Sequence, residues 1–103
     1  MAIQYNKLVR DRIPEIITAS GKNCKTEILS DDDYLRMVDA KLDEELREYH
    51  ESGTLEELAD LLEVLYAAVL AHGYTLEELE RVRAEKAATR GAFFDRILLK
   101  EVY

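Results

Sequence analysis

Residues 43–60, DEELREYHESGTLEELAD, hold eight acidic side chains and a single arginine, and they run directly into the apolar segment LLEVLYAAVLA. Within the run two pairs of carboxylates recur at a spacing of three, Glu45 with Glu48 and Glu57 with Asp60. Residues three apart share a helix face, so each pair can point one way. Four carboxylates brought together cannot all stay ionised in a partly buried site without a compensating charge. A hard divalent cation supplies that charge most directly, and an all-oxygen ligand set suits magnesium, manganese or calcium better than zinc. The same residues also have an ordinary explanation. Glutamate is a good helix former that keeps surfaces soluble, and Glu57 stands three residues after Thr54, where a capping box places a glutamate with no metal involved.

The elements that must carry these pairs are helices. Ser30, Thr54 and Thr75 are N-cap candidates, and the last two have a glutamate three residues on, Glu57 and Glu78. They predict helices over about 31–52, 55–72 and 76–90, which stop near Gly53, Gly73 and Gly91. Pro14 is placed to open a short helix, PEIITAS, that Gly21 ends. The short ESGT connection makes the first two long helices antiparallel neighbours. The predicted fold is therefore all-α, a single small bundle of three long helices and a short N-terminal one spanning residues 1–103. The stretch IQYNKLVR is expected to run extended into a turn, NCKTEIL to form a short strand or an extended arm, and the tail AFFDRILLKEVY to pack onto something.

Helical phase then separates the acidic residues. The first long helix lines up Leu35, Val38, Leu42, Leu46 and Tyr49, with Glu45 and Glu48 on one flank, Lys41 close by, and Glu44 turned towards solvent. The second has its main stripe at Leu58, Leu61, Leu62, Leu65 and Val69. Glu57 and Asp60 begin a different side that continues as Val64, Ala67, Ala68 and Ala71, which should face protein, while Glu56 and Glu63 face water. Apolar residues over so wide an arc predict a core completed by self-association, as a homodimer or a higher homo-oligomer.

Composition bounds the rest. Apolar residues at 48% and charged ones at 35% describe a globular chain, and one proline with four glycines favours helices over a many-stranded sheet. A net charge of −8 argues against a nucleic-acid polymer or an anionic membrane as partner, so an anionic substrate needs a local basic cluster or a metal. The lone Cys24 excludes an internal disulfide and a thiolate zinc cage, and is expected to be a small, partly buried filler. No apolar run has membrane-spanning length and the start of the chain lacks a signal-peptide core, which predicts a cytoplasmic protein.

EELRE, followed after a short gap by ELAD, resembles the EExxE and ExxD pair of the MazG-like, all-α nucleotide pyrophosphohydrolases. YNKLVRDRIPEII and EKAATRGAFFDRILL are similar to the small, single-domain, phosphoribosyl-ATP pyrophosphohydrolase-like branch, so the resemblance covers nearly the whole chain. It implies magnesium-dependent hydrolysis of a nucleoside triphosphate, or of a phosphoribosyl-ATP-like nucleotide, to the monophosphate and pyrophosphate. Such activity serves nucleotide-pool housekeeping or a step of histidine biosynthesis. By position it makes Glu45, Glu48, Glu57 and Asp60 the metal-binding and catalytic carboxylates, with Mg2+ as the cofactor and Mn2+ as a possible substitute.

A triphosphate also calls for basic side chains. Candidates are Lys7, Arg10 and Arg12 near the N-terminus, Lys41 beside the carboxylates, and Lys86 with Arg90, one turn apart just before GAFF. The similarity of the tail favours the last two, whereas Arg12 and Arg83 fit ordinary surface ion pairs. Tyr5, Tyr34, Phe93 and Phe94 offer aromatic faces to a base, with core packing as the alternative. His50 and His72 lie at helix ends, where a histidine commonly meets the helix dipole, and neither is given a role. Two other functions compatible with these residues are a non-catalytic helical dimerisation module and a nucleotide sensor that keeps the fold.

Overall fold

A computed structural model of the chain describes residues 2 and 4–103, so Ile3 of the N-terminal stretch lies outside the described residues. Four helices follow one another: α1 (Ile13–Ala19), α2 (Asp31–Ser52), α3 (Leu55–Ala71) and α4 (Leu76–Arg90), with no strand among the described residues. The three long helices begin at their polar caps. Ser30 accepts the Asp33 N–H at 3.2 Å, Thr54 the Glu57 N–H at 3.3 Å and Thr75 the Glu78 N–H at 3.1 Å. Helix α2 stops at Gly53, whose φ of +63° is a left-handed cap that a side chain would disfavour, and its N–H donates to the Tyr49 carbonyl at 2.7 Å. That reversal lays α3 back against α2.

Residues 22–30 are irregular, so NCKTEIL forms no strand. An isolated β segment has no ladder to complete here, because no other strand is present to pair with it. Cys24 is exposed and not the filler expected of it, with its Sγ 3.9 Å from the Pro14 carbonyl.

Packing is concentrated between α2 and α3, and α4 meets α3 only lightly. Val38 is fully buried, and Leu42, Glu45 and Tyr49 continue its stripe on α2. Leu46, expected in that stripe, is left 42% exposed while its neighbour Glu45 takes the buried position. On α3 the better-covered side is the one with the carboxylates and small residues: Glu57, Asp60, Leu61, Val64, Ala67 and Ala68. Leu58, Leu62 and Leu65 stay exposed. Small side chains let two helix axes approach closely, and the distance between packed helices follows the residues at the contact.

The radius of gyration is 18.1 Å, against about 13 Å for a compact chain of this length. The accessible surface is 9630 Å², against roughly 6,000 Å² for a compact monomer of this mass. The tail contributes to both. Phe93 and Phe94 are 94% and 89% exposed, so within one chain the tail lacks the packing expected of it. Among the described residues no helix is long and apolar enough to cross a membrane.

Candidate metal centre

Glu45 on α2 is 6% exposed, although a carboxylate is among the side chains least often buried without a partner. Glu57 and Asp60 stand opposite it on α3. One carboxylate oxygen from each of the three lies within 4.8 Å of the other two. Two oxygens bound to one magnesium or calcium ion from opposite sides are separated by roughly 4–5 Å, so the spacing suits a shared cation. Glu48, half-buried one turn beyond Glu45, lies near enough to this triad for its charge to act on both Glu45 and Glu57. Three of the four carboxylates paired in the sequence, Glu45, Glu57 and Asp60, therefore come together, and Glu48 stays outside that grouping.

Two features make the cluster electrostatically costly. The Oε2 atoms of Glu45 and Glu57 are buried with no hydrogen-bond partner among the described residues. A buried polar atom left unpaired is costly, and more so when it belongs to an anion. Both groups are accordingly pushed above the ordinary glutamate pKa, first by loss of hydration and then by the charge of Glu48, with Asp60 adding to each. Lys41, whose Nζ is 3.6 Å from Glu45 Oε1, offsets part of this at Glu45. A divalent cation held by Glu45, Glu57 and Asp60 fits the orphaned oxygens and the all-oxygen donor set.

The bland explanation of Glu57 can be tested within the chain, because the pentapeptide TLEEL occurs at residues 54–58 and again at 75–79. At the second copy the box closes: Glu78 Oε2 accepts the Thr75 N–H at 3.0 Å. At the first copy Thr54 caps the helix, but Glu57 does not reach back, and its carboxylate lies in the cluster instead. Identical local sequence with two outcomes means that tertiary surroundings, not capping, place Glu57.

Three of the candidate cations ring the carboxylates. Arg10 Nη2 lies 2.7 Å from Asp60 Oδ1, Lys7 Nζ 3.0 Å from Glu44 Oε1, and Lys41 Nζ 3.5 Å from Glu44 Oε2. Glu44 is thus not turned freely to solvent. Its side chain is only 21% exposed, and its pKa is lowered chiefly by the hydrogen bond from Lys7. Helical phase alone missed this role, because the partner comes from an N-terminal segment 37 residues away that folds back over α2. Lys86 and Arg90 are exposed on α4, and neither forms an ion pair with these carboxylates among the described residues. Arg12 pairs with Glu15 and Arg83 with Glu80, ordinary exposed i,i+3 pairs. Beside the site, Lys7, Lys41 and Glu44 help line a cavity of about 90 Å³ that contains no aromatic residue. Tyr5 is 67% exposed and Tyr34 half-buried, so neither they nor the exposed phenylalanines enclose a base.

Over 48 residues the chain is 54% identical to a protein of Mycolicibacterium smegmatis described as uncharacterized, a match covering 47% of this chain and 49% of that relative. The match therefore spans about half the length of each protein. No family model matches the chain, and no solved structure matches it.

Proposed function

We propose that the protein is a magnesium-dependent nucleotide pyrophosphohydrolase of MazG-like character. It would cleave a nucleoside triphosphate, or a phosphoribosyl-ATP-like nucleotide, to the monophosphate and pyrophosphate, and act on the cytoplasmic nucleotide pool. The observation that carries this reading is the convergence of Glu45, Glu57 and Asp60, with two buried oxygens left without partners. Surface glutamates have no need of such an arrangement.

Glu45, Glu57 and Asp60 would hold the magnesium ion, or manganese in its place. When bound, that ion neutralises phosphate oxygens and acidifies or orients a water. The chain's own residues do the rest. Glu48, outside the tightest grouping and near enough for its charge to act on Glu45, would be the carboxylate that accepts the water's proton. Arg10 presents a planar guanidinium at Asp60, a geometry equally suited to two phosphate oxygens. Lys7 and Lys41 add compact positive charges on the Glu44 side. These three take the phosphate-binding role within one chain, while Lys86 and Arg90 stay outside contact with the carboxylates.

The test is release of pyrophosphate from a panel of nucleoside triphosphates and phosphoribosyl-ATP, with and without magnesium. Release that requires magnesium is the expected result. Saturable, magnesium-dependent nucleotide binding without turnover would instead identify a sensor. Absence of both binding and turnover would leave a non-catalytic helical module.

A further inference from the structure

Helix α3 has two apolar faces, and α2 covers one of them. On the other, Leu55, Leu58, Leu62 and Leu65 follow at spacings of three, four and three, the pattern of a seam that packs against a partner. They are 80%, 42%, 46% and 44% exposed. A second apolar surface is also open. Beyond Gly91 the C-terminal arm runs to Tyr103 without helix or strand, and Phe94, Leu98 and Val102 along it are 79–89% exposed. Arg96, in the middle of the arm, has a φ of +60°, a left-handed backbone that a residue with a side chain adopts at a cost.

We propose that the α3 seam is occupied by the C-terminal arm of a second copy of this chain, and that the exchange is reciprocal. The accessible surface of 9630 Å² exceeds that of a compact monomer by more than one partner's share of a typical obligate interface, so enough surface for such an interface is open. Charge decides between arm and seam as the occupant. Glu56 and Glu63 flank the seam, exposed and without ion pairs among the described residues. Two seams face to face would bring four such glutamates together in a chain already at −8. The arm is net neutral, with Arg96 and Lys100 balanced by Asp95 and Glu101, and its two cations are exposed and without ion pairs among the described residues.

The spacings agree as well. Glu56 and Glu63 are about 10 Å apart along a helix, and Arg96 and Lys100 are about 13 Å apart in extended chain. Residues two apart share a face of an extended segment, so past the turn at residues 94–95 Leu98 and Val102 fall on the same side as Lys100 once the arm is extended. A cis arrangement is disfavoured because α4, about 22 Å long, meets α3 only lightly. The seam stays open in this structure, so the chain's own arm does not cover it. Reciprocal exchange closes the assembly as a twofold dimer. None of this depends on the hydrolase reading.

The test uses full-length chains carrying Cys24→Ser, one with Leu62→Cys and the other with Leu98→Cys, mixed with a short flexible bismaleimide. The expected main product is a covalent heterodimer of the two chains. In parallel, the unmodified protein should sediment as a dimer at micromolar concentration, and Leu98→Asp should weaken association at least tenfold while leaving helix content unchanged. Linkage confined to pairs of Leu62→Cys chains would mean that seam meets seam. A Leu98→Asp chain that dimerises normally, or an unmodified chain that sediments as a monomer, would assign the seam to another occupant. Any of these results overturns the proposal.

Discussion

Glu45→Gln is expected to lower magnesium-dependent turnover at least about tenfold while raising the melting temperature of the metal-free protein. Changes to groups that only support metal ligands commonly cost about 10–100-fold, so loss of an anionic ligand should cost no less. The gain in stability has a separate cause. Burial and Glu48 raise the Glu45 pKa, so above the ordinary glutamate value of 4.5 the folded chain binds more protons than the unfolded one. Stability contributed by this group is therefore complete below that value and falls as pH rises through the raised one. Glutamine does not titrate. The melting-temperature advantage of Glu45→Gln over the parent should accordingly be absent in acid and grow as pH rises beyond 4.5.

Glu44→Gln, one residue away, should behave in the opposite sense. Lys7 lowers the Glu44 pKa, so its contribution is present above the unfolded value and lost in acid. Removing it costs the small amount typical of exposed ion pairs, about 0–1 kcal/mol, and leaves most of the turnover. Equal loss of turnover at both positions would mean that Glu44 is also a ligand.

Alanine at the two copies of TLEEL is expected to separate a functional glutamate from a structural one. Glu57→Ala should reduce turnover at least about tenfold, as for Glu45, with the start of α3 intact because Thr54 still caps it. Glu78→Ala should cost roughly 0.5–1.5 kcal/mol of stability through loss of its hydrogen bond to the Thr75 N–H, and leave turnover by the folded protein unchanged. Thermal melts and pyrophosphate release on both variants check this. Matching stability losses with no loss of turnover would return Glu57 to the capping role.

Much of this arrangement is legible in the sequence, for local reasons. Ser30, Thr54 and Thr75 set helix starts through bonds three residues long, and Gly53 sets a reversal through its own backbone. Both survive whatever the rest of the chain does. The convergence of Glu45, Glu57 and Asp60 follows from helix period and a tight turn, so it too could be anticipated, whereas Glu48 stays outside that grouping. What pattern did not disclose depends on contacts between distant segments. The leucines of α3 form the stronger apolar stripe, yet α2 packs on the side with Val64, Ala67 and Ala68, because small residues allow close approach. The partner of Glu44 comes from Lys7, a pairing no periodicity encodes. Lys86 and Arg90 share a face one turn apart, as phase requires, but the direction of α4 decides what that face meets.

The central claim is that the carboxylates of α2 and α3 form a divalent-cation site, and the most direct measurement is manganese binding to the metal-free protein followed by electron paramagnetic resonance. Saturable binding is expected that magnesium displaces, that Glu44→Gln retains and that Glu45→Gln loses. A parent protein that binds manganese no better than Glu45→Gln would contradict it.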